Sequence, residues 1–311
     1  MSGSTHNPVA GGIDLGGTKI ESTLFDGDMT AMAARRRPTP RGTYAELLGA
    51  LADEVAWLRA TAARADLPVG IGIPGLVDPL SGVSVTANLP ANGHTLAPDL
   101  AARAGGRIVS ANDCKCFALS EACGGAGAGY RRVFGLILGT GLGGGVCQDG
   151  RLELGLNGLP GEVGHFGLPA HLVAVHGLPI LRCGCGRLGC TETLISGTGM
   201  GQLARAILGQ DRDARMIAAT PGDPGNARVL GIWAELAAEL VHTIQLHIDP
   251  DCIVLGGGLS NIAGLEVRLA DALDRIALPS VRRPAILKPA FGDSSGGRGA
   301  ALLALQTPER A

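Results

Sequence analysis

"GGIDLGGTK", residues 11–19, sets a short apolar run against two glycines and a threonine, and "VFGLILGTGLGGGVCQDGRLE", residues 133–153, repeats the arrangement. Each reads as a strand that enters a tight turn and returns as a second strand. "IESTLF" is the return in the first, and Asp149-Gly150 supplies a further turn in the second. Two strand-turn-strand units more than a hundred residues apart predict two related domains facing one another. Leu47, Leu48, Leu51, Val55 and Leu58 fall at helical spacing, so 44–63 is expected to be a helix. "VGIGIPG" (69–75) is a buried strand ending at Pro74-Gly75, and "RIVSAND" (107–113) is a strand running into a helix through about residue 123. A long helix near 229–247, the strand "CIVLGGG" (252–258) and a C-terminal helix "GAALLALQ" (299–306) complete an α/β rhythm.

The composition limits what such a chain does. With 311 residues, 46% of them hydrophobic, and a formal charge of −2, it is expected to be a soluble globular protein with room for two cores. No basic footprint for nucleic acid is present, and "RRR" at 35–37 reads as a solvated face. No apolar run approaches a membrane span, and "MSGSTHNPVAGG" lacks the regions of a signal peptide, so a cytoplasmic location without membrane partners is expected. Thiols stay reduced there, which argues against a disulfide framework for the eight cysteines.

Both glycine turns suit phosphate, because glycines let successive backbone N–H groups converge on oxyanions and a threonine hydroxyl adds a donor. Two other motifs fail. "GIDLGGTK" ends in Thr18 then Lys19, the reverse of a P-loop, and a strand follows where a helix is needed. "GTGLGG" (139–144) matches G-x-G-x-x-G, but it too is followed by a strand pattern rather than a helix. The bland alternative for either turn is plain hairpin chemistry; together they favour a nucleoside triphosphate held between two lobes.

"RCGCGRLGCTE" (182–192) carries the metal signal. His165, Cys183, Cys185 and Cys190 form a Cys3His set of the kind that closes a tetrahedral structural zinc site, the alternative being free buried thiols beside a core histidine. With four protein ligands the zinc shapes a loop and performs no chemistry. Cysteines 114, 116, 123, 147 and 252 show no such arrangement and read as buried thiols. Glu162 and Glu192 flank the set, offering carboxylates to a polyhydroxylated ligand, with Asn88 and Asn112-Asp113 as further candidates. Asp113 is read either as a helix N-cap or as a general base at a strand's carboxyl end.

The ordered motifs "DLGGTK", "GIPG", "ANDCKCFALSEA", "LGTGLGGG", "GEVGH", "CGCGRLGCTE", "VLGGGLS" and "GDSSGGRGAA" resemble those of the ROK family (repressors, open reading frames, kinases) over essentially the whole length. "PTPRGTY", "NDCKCFALSEA", "LILGTGLGGG" and the stretch from "GEVGH" through "LRCGCG" are most similar to bacterial N-acetyl-D-glucosamine kinases. The resemblance implies an actin-like, ribonuclease-H-like sugar kinase fold with an inserted zinc loop. One lobe is expected over 1–111 plus about 299–311, the other over 112–298 with the zinc loop at 165–190. Some relatives are repressors with an N-terminal helix-turn-helix; with "DLGGTK" starting at Asp14, none is expected here.

The resemblance further implies transfer of phosphate from MgATP to the 6-hydroxyl of N-acetyl-D-glucosamine, with Asp113 as base. Asp14 would act on Mg2+. Gly16, Gly17 and Thr18, with Thr140 and Gly141, would hold phosphates; Lys19 either helps neutralise them or is a surface lysine. Gly257 and Gly258 would lie against adenosine. Asn88, Asn112, Glu162, His165 and Glu192 would orient the sugar, His165 through the ring nitrogen that zinc leaves free. Small Pro90 and Ala91 are expected to leave space for an N-acetyl group. "ETLISGTG", "GDSSG" and "DPLSGV" resemble fructokinases of the family instead, so fructokinase and glucokinase remain alternatives, as does a sugar sensor without turnover. A homodimer is implied.

Overall fold

The computed structural model describes residues 7–292 and 295–308. The chain divides into two compact units, one taking Met1–Gly125, Gly145–Pro160 and Asp293–Ala311, the other Ala126–Gly144 and Gly161–Gly292.

The first begins with β1 (Pro8–Leu15), β2 (Lys19–Asp26) and β3 (Ala31–Pro38), an antiparallel meander. The three arginines of β3 are paired. Arg35 donates to Glu54 at 2.7 Å and lies 4.7 Å over the Trp57 ring, Arg36 meets Glu21, and Arg37 meets Asp53, so no basic patch stands open there. α1 (Tyr44–Ala62) starts at a capping box of Thr43 and Glu46 and ends where Ala63 turns left-handed (φ 52°), one residue short of the expected end. β4 (Val69–Ile73), the small hairpin of β5 (Leu76–Val77) and β6 (Ser84–Val85), α2 (Leu96–Ala104), β7 (Ile108–Asn112) and α3 (Asp113–Ala122) follow. β4 and β7 run parallel to β1, giving the order β3-β2-β1-β4-β7.

The second sheet has the same plan, an antiparallel meander followed by two parallel strands: β8 (Arg132–Leu138), β9 (Leu142–Gln148), β10 (Arg151–Leu152), β11 (Cys252–Gly256) and β12 (Ala285–Leu287), ordered β10-β9-β8-β11-β12. Its helices are α4 (Ala170–His176), α5 (Glu192–Ile195), α6 (Gly197–Leu208), α7 (Ala214–Ala219), α8 (Pro224–Ile248) and α9 (Leu265–Ile276). α8 starts five residues before the expected 229, because Asp223 caps it and Pro224 fills the first position, where its missing N–H costs nothing. By length and mean composition α8 alone among the described residues reaches the dimensions of a membrane span, although Glu235 and Glu239 interrupt its apolar residues. Yet 67% of its apolar window is buried inside the protein, as befits a core helix.

α10 (Ser295–Gln306) returns to the first unit and explains several of its glycines. A Cβ on Gly12 would land on the Gly297 carbonyl oxygen, one on Gly70 on that of Ala300, and one on Gly299 on that of Cys116. The helix therefore crosses β1, β4 and α3 backbone against backbone. Among the described residues no cysteine forms a disulfide; Cys116, Cys147 and Cys252 are buried as expected, whereas Cys114 and Cys123 are half-buried.

Candidate active site

In the first unit the parallel register brings Asp14 of β1 beside Gly72 of β4 and Gly72 beside Ala111 of β7, which puts Asp14 and Asn112-Asp113 at the carboxyl ends of the strands. Open α/β sheets bind ligands there. Gly296, at the start of α10, faces Asp14: a Cβ on it would sit 3.3 Å from the carboxyl carbon. Asp113 is not the helix cap. Asn112 takes that position, its Oδ1 accepting from Lys115 N at 3.2 Å while its Nδ2 donates to the Gly75 carbonyl at 2.8 Å. Asp113 becomes the first helical residue, its Oδ1 accepting from Cys114 N at 2.8 Å, and burial pushes its carboxyl above the ordinary aspartate range.

The Gly16-Gly17-Thr18 turn is closed by Gly16 N–H to the Lys19 carbonyl at 2.9 Å. Thr39 steadies it, donating through Oγ1 to Gly16 O at 2.7 Å and through its N–H to Thr18 O at 3.1 Å, and Arg41 reaches Gly17 O. A Cβ on Gly17 would meet nothing within 4 Å, so that edge of the turn stands open. Lys19 points along the strand face to Glu21 at 3.3 Å, as a surface lysine does. Asn88 is exposed. Ala91 is fully buried in the core with Leu89 and Leu96, so of the two small residues after Asn88 it lends no open space. The unit's 700 Å3 cavity runs along β7 and includes Asn112, but neither Asn88 nor Asp113 lines it.

In the second unit the four expected metal ligands come together. His165 closes a short 3-10 turn (Val163–His165); Cys183 and Cys185 lie in a knuckle closed by Cys183 N–H to Arg187 O and Gly186 N–H to Cys183 O; Cys190 pairs with Gly167 in an isolated bridge. Their donor atoms all lie within 4.8 Å of one another. Zinc–sulfur bonds of about 2.3 Å and zinc–nitrogen bonds of about 2.0–2.1 Å make tetrahedral edges of about 3.8 Å for S···S and about 3.6 Å for S···N. Cys185 Sγ and Cys190 Sγ are 3.7 Å apart and Cys183 Sγ and His165 Nδ1 are 3.6 Å apart, so these two edges match those of a zinc tetrahedron. Nδ1 faces the cluster; Nε2 lies on the other side, 3.9 Å from Glu162 Oε2. That gap is too long for a direct hydrogen bond.

The second glycine turn is closed by Gly139 N–H to Gly141 O at 3.1 Å. Glu192 Oε2 accepts from Leu142 N at 3.0 Å, and its Oε1 accepts from the Cys183 thiol at 3.4 Å. Gly257 has φ 78°, and a Cβ there would meet the Leu138 carbonyl at 2.6 Å; only glycine permits this approach of the β11 end to the β8 end. Beside Gly258, a cleft of about 610 Å3 is lined by Gly139, Thr140, Thr198, Arg215, Leu259 and Ile262, among others. Thr140 and Gly258 are expected there from the sequence, whereas the start of α6 and the whole of α7 are not. "SGTG" (196–199), a serine cap before a helix, was the available signal: Ser196 Oγ accepts from Gly199 N at 3.0 Å.

Two sheets of one strand order, each with a glycine turn, and a Cys3His knuckle in the second unit define an α/β protein of the actin-like sugar kinase class. The sequence profile of the ROK family matches residues 10–307, and the chain belongs to that family. It is 41% identical over 295 residues to N-acetylgalactosamine kinase AgaK of Shewanella sp. (strain ANA-3), covering 94% of this chain and 95% of that one. It is 40% identical over 301 residues to N-acetyl-D-glucosamine kinase of Citrobacter koseri, covering 94% and 98%. Among solved structures, the ROK hexokinase of Thermus thermophilus superimposes with a TM-score of 0.84 at 31% identity, over 95% of this chain and 97% of that one. A ROK glucokinase of Streptomyces griseus in complex with glucose and AMPPNP gives 0.78 at 28% identity, covering 96% and 100%.

Proposed function

We propose that this ROK sugar kinase transfers the γ-phosphoryl group of MgATP to the 6-hydroxyl of N-acetyl-D-glucosamine, giving the 6-phosphate and ADP. The observation that carries the reading is Asp113. Relieved of capping by Asn112, held at a strand's carboxyl end and raised in basicity by burial, it suits a general base that takes the hydroxyl proton as that oxygen attacks phosphorus. Asp14 is assigned to the metal of MgATP, which offsets charge on the phosphates. The turn at Gly16–Thr18 and the turn at Gly139–Gly141 are each assigned to phosphate, through backbone N–H groups, and the cleft beside Gly257-Gly258 to the adenosine.

Zinc supplies no chemistry in this reading; it fixes the residues around it. His165, Cys183, Cys185 and Cys190 would hold it, and with Cys183 as a thiolate ligand Glu192 Oε1 would be left to accept from a sugar hydroxyl while Oε2 stays on Leu142. In the second unit His165 Nε2 and Glu162 are spaced so that a hydroxyl bridges them, and in the first Asn88 and Asn112 are assigned to the sugar.

An N-acetylhexosamine is favoured over glucose or fructose because relatives named for N-acetylglucosamine and for N-acetylgalactosamine both stand near 40% identity over 94% of the chain. N-acetylgalactosamine is accordingly the second reading. Release of ADP from MgATP with N-acetylglucosamine, N-acetylgalactosamine, glucose and fructose, compared as kcat/KM, tests both, and 13C NMR of the product locates the phosphate. A higher kcat/KM for N-acetylgalactosamine would replace the acceptor; a higher value for glucose or fructose would overturn the N-acetylhexosamine assignment.

A further inference from the structure

We infer that zinc occupancy sets nucleotide affinity, through the grip that the zinc-bearing segment has on Gly139–Leu142; this rests on the reading of that turn as a phosphate holder. The turn has one hydrogen bond of its own, Gly139 N–H to Gly141 O. Three more come from a single run of chain, residues 190–198. Glu192 Oε2 accepts from Leu142 N at 3.0 Å, Gly197 N donates to Gly139 O at 2.7 Å, and Thr198 Oγ1 donates to Thr140 O at 2.9 Å. That run begins at the metal ligand Cys190.

Its second tie also leads to the metal. Thr191 donates to the Phe166 carbonyl through both N–H (2.8 Å) and Oγ1 (2.9 Å), and Phe166 follows the ligand His165. Gly164, just before His165, is pressed so closely on Leu142 that a Cβ would land on the Leu142 carbonyl oxygen. Leu142 is therefore held on its N–H side by Glu192 and on its C=O side by Gly164, each within two residues of a zinc ligand.

A turn whose N–H groups are already aimed binds phosphate without the entropy cost of ordering them. Without the metal, 163–167 and 183–192 lose the cross-link that fixes them, and the three outside bonds lose their anchor. Coupling between sites is reciprocal, so bound nucleotide must strengthen zinc binding by the factor by which zinc strengthens nucleotide binding.

The experiment is calorimetric titration of MgADP, without sugar, into zinc-loaded protein and into protein stripped by a chelator and desalted. Expected is a Kd about tenfold weaker in the stripped protein, within the roughly 5–150-fold range of such couplings. Zinc release to a chromogenic chelator should slow by the same factor when MgADP is bound. Gly164→Ala gives a variant with its metal ligands intact. With full zinc content, it should weaken MgADP several-fold, since the added methyl displaces Leu142. Equal Kd values in the zinc-loaded, stripped and Gly164→Ala proteins would overturn the coupling and leave the kinase reading standing. Absence of MgADP binding to the zinc-loaded protein would instead overturn the nucleotide reading itself.

Discussion

The two glycine turns are alike in sequence and unlike in support. Gly16–Thr18 is held by its own meander, through Thr39 and Arg41 just beyond β3, and its unit is tightened by α10 crossing at Gly12 and Gly70. Gly139–Leu142 is held by Glu192, Gly197 and Thr198, all downstream of a zinc ligand. One backbone device is thus supported in one unit by its own meander and close packing and in the other by a segment that leads back to the Cys3His cluster. The first unit keeps the half-buried Asp113 carboxylate, and the second keeps the three thiols of the Cys3His cluster.

The largest expected effect falls on the packed unit. Asp113→Asn should lower kcat by about 10²- to 10⁴-fold, the usual weight of a general base, with sugar binding retained by calorimetry and zinc content unchanged. The pH profile carries a sign. Because the Asp113 pKa is raised, activity should fall as pH drops through a value above the ordinary aspartate range, and the same elevation makes the ionised carboxylate a burden on the fold at neutral pH. Asp113→Asn should accordingly raise Tm at pH 7, and near-normal turnover would remove Asp113 from the base role.

Cys185→Ser comes next. Metal analysis should show zinc lost, and hydrogen exchange should quicken over 163–198 while the amides of β1 and β2 keep their protection. Retained zinc would sink the Cys3His assignment, and exchange rising equally in β1 would erase the contrast between the units. Gly12→Ala should act the other way round, costing about 1–3 kcal/mol by forcing α10 off β1 while zinc stays bound. Thr39→Val removes one hydroxyl donor from the first turn and should cost about 1 kcal/mol by denaturant melting, with no change in metal content.

Much of this was legible in the sequence where local patterns and tertiary needs agree. Both hairpins, the strands β4, β7 and β11, and α1 follow from apolar runs that stop at glycine or proline and from helical leucine spacing. The metal set was legible because thiolate spacing leaves few other folds for a knuckle. β3 was hidden, since "AMAARRRP" looks like a charge run until Glu21, Asp53 and Glu54 are placed beside it. The role of Asp113 stays open in the sequence between cap and base for a subtler reason: Asn112 and Asp113 are both good caps, and only the strand register decides which one ends the sheet. Ala91 shows the limit of reading volume from residue size, because a small side chain can face the core as easily as a ligand. Asp293 and Ser294 of "GDSSGGRGAA" lie outside the described residues.

The glycines under α10 also constrain how the chain is made. A ribosome releases β1 and β4 long before the helix that fits them; Gly12 and Gly297 are separated by about three hundred residues of synthesis. Until that last helix arrives, the groove at Gly12 and Gly70 has no occupant. Premature termination anywhere upstream of residue 295 thus yields a chain whose first sheet is covered by α1 and α2 on one face and lacks α10 on the other, and such products are expected to be insoluble or rapidly degraded rather than partly active.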